Sequence, residues 1–192
     1  MVQCSYLYLF CHAICDIPLE KKLVTQSNDL NWPVRVAQNI SAPAAQVWEL
    51  ISTPGNLELC HPYCMRNPVT DWLGKSSKDE VHYYSGLIYE REFYAWIDGA
   101  GYDLLIGKRG QEKSMVSWRI KSVNEFNCMI SIEVRSAFLL RYARSFRWFV
   151  HAFWLRPRLR QYLSAVTQGI KWKVESGKNV HRNQFGLHSW FS

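Results

Sequence analysis

SAPAAQVWELISTPGNLELCHP, residues 41–62, is the stretch on which the reading of this chain turns. Ser41 stands where a helix N-cap is expected, with Pro43 inside the first turn, a position where a missing N–H costs nothing. Val47, Trp48, Leu50 and Ile51 give the helix an apolar face, and Thr53-Pro54-Gly55 stops it. A second short helix is expected over Asn56–Cys60, broken at His61-Pro62. Upstream, Val34–Ile40 alternates as a strand does, with Val34 and Val36 on one side and Arg35 and Ala37 on the other.

Downstream the period changes to two. Strands are expected over Met65–Trp72, Asp79–Ser85, Leu87–Ile97, Tyr102–Ile106, Ser114–Val123 and Cys128–Val134. Tight turns such as Asp98-Gly99 separate them, which makes an antiparallel meander and not a set of βαβ units. Ala137–Leu155 has helical spacing and ends at Arg156-Pro157. Arg158–Lys178 then fits a long amphipathic helix, with Leu159, Tyr162, Leu163, Val166, Ile170 and Val174 at three- and four-residue steps. The expected class is α+β: a curved antiparallel sheet gripping a long C-terminal helix.

A chain of 192 residues suits one domain. Residues 1–32 lack sustained periodicity and are expected to form a weakly ordered extension, with the domain over 33–178 and a tail over 179–192. The apolar stretch Tyr6–Ile14 has no Lys or Arg before it and is too short to span a bilayer. Six cysteines without a regular framework point to a reducing, cytoplasmic setting. Charge is divided unevenly. Residues 1–107 carry 7 basic and 12 acidic side chains, whereas 108–192 carry 16 basic and 4 acidic. A basic surface of this kind favours acidic partners.

The element order, opened by SAPAAQVWELISTPGNLELCHP, resembles the START-like or SRPBCC superfamily, which includes Bet v 1 allergens, polyketide cyclases and lipid-transfer domains. The resemblance covers about residues 33–178 and implies a helix-grip fold with an apolar cavity between sheet and helix. Ligand binding is the role it implies, without naming the ligand. The long stretch over 137–155 departs from compact members.

Strand alternation suggests which side chains look into such a cavity. Tyr89, Arg91 and Phe93 share the more apolar face of Leu87–Ile97, Tyr83 and Trp118 face inward from neighbouring strands, and Tyr162 and Val166 lie on the apolar face of the long helix. Arg91 among hydrophobes needs an acceptor, supplied either by an acidic ligand group or by an acidic neighbour. His61, at a helix break beside Cys60 and Cys64, is expected among the ligand-binding residues, with an acid–base role at a cavity mouth or a structural role as the alternatives. It is a structural or acid–base histidine rather than a metal ligand, because the Cys-x3-Cys spacing has no second pair. No nucleophile elbow, zinc helix or phosphate loop occurs, so no catalytic residue, metal or cofactor is assigned. Arg141, Arg144, Arg147, Trp148 and Trp154 interleave arginine with aromatic rings, as suits peripheral contact with an anionic membrane. Nucleic acid is disfavoured because no recognised binding module is present. The expected function is binding or transfer of a lipid-like or aromatic molecule, with an acidic head as one option. The alternative is a cyclase- or aromatase-type enzyme in which His61, Tyr83 and Arg91 orient and protonate a substrate.

Overall fold

The first and last strands among the described residues are neighbours. β1 (Val34–Ile40) lies antiparallel to β8 (Asn127–Arg135), with Val34 opposite Val134 and Ile40 opposite Cys128. The computed structural model describes residues 30–72 and 74–192. Between those two strands come α1 (Ala44–Ser52), α2 (Leu57–Cys60), β2 (Cys64–Arg66), β3 (Val69–Asp71), β4 (Lys78–Tyr83), β5 (Ile88–Ile97), β6 (Gly101–Gly107) and β7 (Ser114–Asn124). After β8 follow a 3-10 turn (Ala137–Arg141), α3 (Arg144–Val150), a π turn (His151–Leu155) and α4 (Arg156–Ser176). The sheet runs β1-β8-β7-β6-β5-β4-β2, with β3 also paired to β4, and every pairing is antiparallel. This is the α+β helix-grip fold.

Period-two patterning places the core. Val116, Trp118 and Ile120 on β7, and Cys128, Ile130, Ile132 and Val134 on β8, are buried on one face. Leu159, Leu163, Val166 and Ile170 of α4 complete that core, each contributing roughly 1.5–3 kcal/mol by leaving water. Gly177, in the left-handed region at φ 70°, ends α4 and donates its N–H to the Lys173 carbonyl.

Several local expectations are corrected. Pro43, not Ser41, occupies the N-cap of α1, and the Ser41 N–H instead reaches the Glu175 carboxylate at 2.6 Å. Met65–Trp72 is not one strand. Asn67 turns inward between β2 and β3 and donates to Asp79 (2.9 Å) and to the Glu80 carbonyl (2.8 Å), while Pro68 has no N–H for a ladder. Arg156-Pro157 does not break the chain. Pro157 sits in the first turn of α4, directly after the π turn, and the backbone stays helical through Leu155 and Arg156. The wider π turn relieves the clash a proline ring makes with the preceding turn.

A register shift between Phe93 and Ala95 inverts the alternation of β5. Trp96 therefore packs on the core, stacked on Tyr102 at 5.5 Å, while Ile97 is exposed. The domain also extends past both expected ends. Leu30 is buried and Trp32 packs on the core, and residues 179–192 fold back onto the domain instead of trailing as a tail. The expected weak order over residues 1–32 falls, as far as residue 29, outside the described residues.

Candidate ligand cavity

A cavity of about 700 Å³ lies between the sheet and α4. Val116, Trp118 and Ile132 form its sheet wall, and Leu159, Leu163 and Val166 its helix wall. That volume falls within the usual range for small-molecule sites, whose linings are mostly apolar with a few placed polar groups.

The polar groups come from three elements. His61 follows α2 directly, and its Nδ1 accepts the Tyr63 backbone N–H at 3.1 Å, so the turn itself orients the ring. Tyr83 points inward from β4, and Tyr162 from α4. His61 Nε2 meets the Tyr162 hydroxyl at 2.9 Å, which meets the Tyr83 hydroxyl at 3.0 Å. Burial, reinforced by the Arg91 charge, holds the His61 pKa down at about 3, so the imidazole is neutral. Burial also raises both phenols, Tyr83 well above its ordinary value.

A neutral His61 whose Nδ1 accepts must carry its hydrogen on Nε2, and it donates that hydrogen to Tyr162. The three groups hold three polar hydrogens, and two are spent within the array. Whichever phenol donates to the other, one hydroxyl hydrogen remains to be offered into the cavity. The array is thus a neutral hydrogen-bond donor without a general base poised near neutral pH.

Arg91 borders this array and is 3% exposed. Its Nε donates to Asp79 at 2.7 Å, and its Nη2 pairs with the second Asp79 oxygen. Asp79 is thus an acidic neighbour of the kind an inward-facing Arg91 needs. The pair is neutral overall, so it sets no net positive charge in the cavity for an acidic head. Tyr89 also lines the cavity. Phe93 does not: it packs with Trp72, Trp96 and Tyr102 at centroid distances of 5.2, 5.7 and 5.0 Å, on the side of the core to which the β5 bulge turns Trp96.

Residues 187–192 close one side, and nothing in the strand-and-helix patterning pointed to them. Phe191, 5% exposed, lies 4.5 Å from the rings of both Tyr83 and Tyr162. His188 anchors the segment by reaching the Arg158 carbonyl (3.1 Å) and accepting the Trp190 N–H (3.3 Å). The aromatic spacing of Phe185, Trp190 and Phe191 was the available signal. The exposed residues among the cavity lining are Lys108, Gln111, Glu112 and Arg141, which places the mouth between the β6–β7 turn and the 3-10 turn; His61, expected at the mouth, is instead a buried part of the lining. Arg141 reaches Gln111 across it at 3.1 Å.

Of the residues expected at a membrane, Arg144 and Trp148 are exposed on α3. Arg147 is half-buried and donates to the Tyr142 carbonyl at 3.0 Å. Trp154, within the π turn, belongs to the cavity wall: it stacks on Phe138 at 5.0 Å and packs on Trp190 at 5.1 Å. Burial raises the Cys60 and Cys64 thiols to about 12, so neither offers a thiolate. Among the described residues no group of three His, Cys, Asp or Glu is placed to hold a metal ion, and no helix is long and apolar enough to cross a membrane.

No protein-family model matches the chain. No curated protein sequence matches it either. Solved structures do. DynU16, a protein of the dynemicin biosynthetic locus, aligns over 79% of this chain and 51% of its own at 15% identity and a TM-score of 0.55. Norcoclaurine synthase from Thalictrum flavum, solved with dopamine and hydroxybenzaldehyde, aligns over 77% of this chain and 88% of its own, with 15% identity and a TM-score of 0.55. The di-domain aromatase/cyclase BexL aligns over 75% and 48%, with 10% identity and a TM-score of 0.54. The chain spans about half the length of DynU16 and of BexL. At these identities the likeness is one of fold, and the fold is the Bet v 1/START-like (SRPBCC) one to which the opening motif and element order pointed.

Proposed function

We propose that this chain binds a hydrophobic, lipid-like or aromatic small molecule in the cavity, and that a neutral oxygen acceptor on that molecule takes the unspent hydroxyl hydrogen of the Tyr83–Tyr162 pair. The observation that carries the reading is the joining of an apolar cavity of about 700 Å³ to a single directed donor array. A carbonyl or phenol oxygen fits that donor. A carboxylate does not, because Asp79 already neutralises Arg91 and desolvating an unpaired anion costs several kcal/mol.

The alternative is catalysis of the cyclase kind, which the fold likeness to BexL and norcoclaurine synthase keeps in view. In it, the same hydroxyl would polarise a substrate carbonyl, an electrostatic role that needs no group titrating near neutrality. Native mass spectrometry of the purified chain tests both readings by identifying a co-purified molecule. Under the binding reading that molecule carries a neutral oxygen and leaves unchanged after incubation, and Tyr83→Phe with Tyr162→Phe, which together remove every hydroxyl hydrogen of the array, weakens its binding by about 0.5–1.5 kcal/mol. Under the catalytic reading it leaves altered, and the same double variant suppresses the conversion more than the affinity. A cavity that takes up no apolar probe in titration would overturn both.

A further inference from the structure

Four exposed aromatic side chains of α3 and the π turn touch one another. Phe146 and Phe149 stack at 5.4 Å, Phe149 and Phe153 approach to 4.8 Å, and Trp148 and Phe153 to 6.1 Å. Trp148 is 58% and Phe153 64% exposed. A contiguous aromatic patch of this kind is uncommon on a monomer without a partner. The rings continue inward through Tyr142, 6.4 Å from Phe146, to Phe138 and the cavity mouth.

Charge says what covers the patch. From Val134 to Val174 the sequence has no Asp or Glu, and Arg144 and Arg156, both exposed, bracket the patch on α3 and at the start of α4. We propose that this face docks on an anionic lipid surface, aromatic rings among the acyl chains and arginines at the headgroups, with the cavity mouth turned to the membrane. Trp, Phe and Arg in one amphipathic segment are suited to that interface. A second copy of the chain fits less well, because two arginine-bracketed faces repel. Docking does not depend on what the cavity holds.

The test is co-sedimentation of the full chain with vesicles of phosphatidylcholine alone or mixed with phosphatidylserine, at low and physiological salt. Recovery is expected only with phosphatidylserine, falling with salt. Arg144→Gln and Arg156→Gln should each weaken it roughly fivefold, the effect of one basic side chain near such a surface. Phe149→Ser with Phe153→Ser should abolish binding while the unfolding curve and apolar-probe uptake in vesicle-free solution stay unchanged. Brominated acyl chains should quench tryptophan fluorescence in the parent chain and much less in Trp148→Phe. Equal recovery with neutral vesicles, no recovery at all, or a dimer in sedimentation velocity that the phenylalanine variant dissociates would overturn the proposal. The probe measurement keeps a failure of docking distinct from a failure of the cavity reading.

Discussion

Gly169 of α4 lies directly against Cys60 at the end of α2: a Cβ on this glycine would come within 2.1 Å of the Cys60 carbonyl oxygen. The close approach brings α4 to α2, and two turns earlier on the helix it brings Tyr162 within 2.9 Å of His61. Gly169→Ala should therefore destabilise the fold by about 1–3 kcal/mol, the usual cost of overpacking, although alanine is the better helix former by about 1 kcal/mol. Urea unfolding measures the first effect. Loss of apolar-probe affinity in the surviving folded protein would show that the donor array had been pulled apart.

The buried pair of Arg91 and Asp79 is expected to show a characteristic asymmetry. Arg91→Met strands a carboxylate that also accepts from Asn67, and should cost about 3–5 kcal/mol. Arg91→Met with Asp79→Leu removes both charges and should recover most of that loss. Denaturant melts of the single and double variants decide it. Equal losses in both would mean that packing, not charge, is what the pair supplies.

Stability should fall on acidification before the carboxylates titrate. The folded-state pKa of His61 is depressed to about 3, below the ordinary 6.5, so the unfolded chain binds the proton more tightly. This contribution is complete above the ordinary value and is lost as pH falls from there toward about 3, at roughly 1.4 kcal/mol per pH unit for one proton. His151 and His188, also depressed by burial, add slope of the same sign. Unfolding free energies between pH 7.5 and 5 should rise with pH, by about one proton less in His61→Gln.

Phe191 closes the cavity against Tyr83 and Tyr162, each at 4.5 Å. Phe191→Ala should lower stability by about 3 kcal/mol, in the range for removing a buried phenyl ring. It should also speed release of a bound apolar probe, since the hole opens onto the donor array. Stopped-flow dissociation separates this from a simple stability loss. An unchanged off-rate would mean that the ring packs without gating.

Sequence alone determined the class of fold and much of the cavity wall. A period of two in Cys128–Val134 and of three to four in Leu159–Ile170 follows from local geometry, so each element shows its buried face wherever it ends up. That is why Tyr83, Trp118, Tyr162 and Val166 could be read as inward. Tertiary structure decided the rest, because long-range contacts leave no periodic trace. Asp79 lies twelve positions from Arg91, and only the β4–β5 register sets the two opposite each other. The bulge after Phe93 exchanges the faces of Trp96 and Ile97, which strict alternation cannot foresee. Residues 187–192 form no regular element, so burial of Phe191 depends wholly on the surface they meet. The proton count at His61, Tyr162 and Tyr83 exists only once the loop after α2, β4 and α4 converge, since a hydrogen bond is fixed by distance and direction, which sequence spacing does not carry.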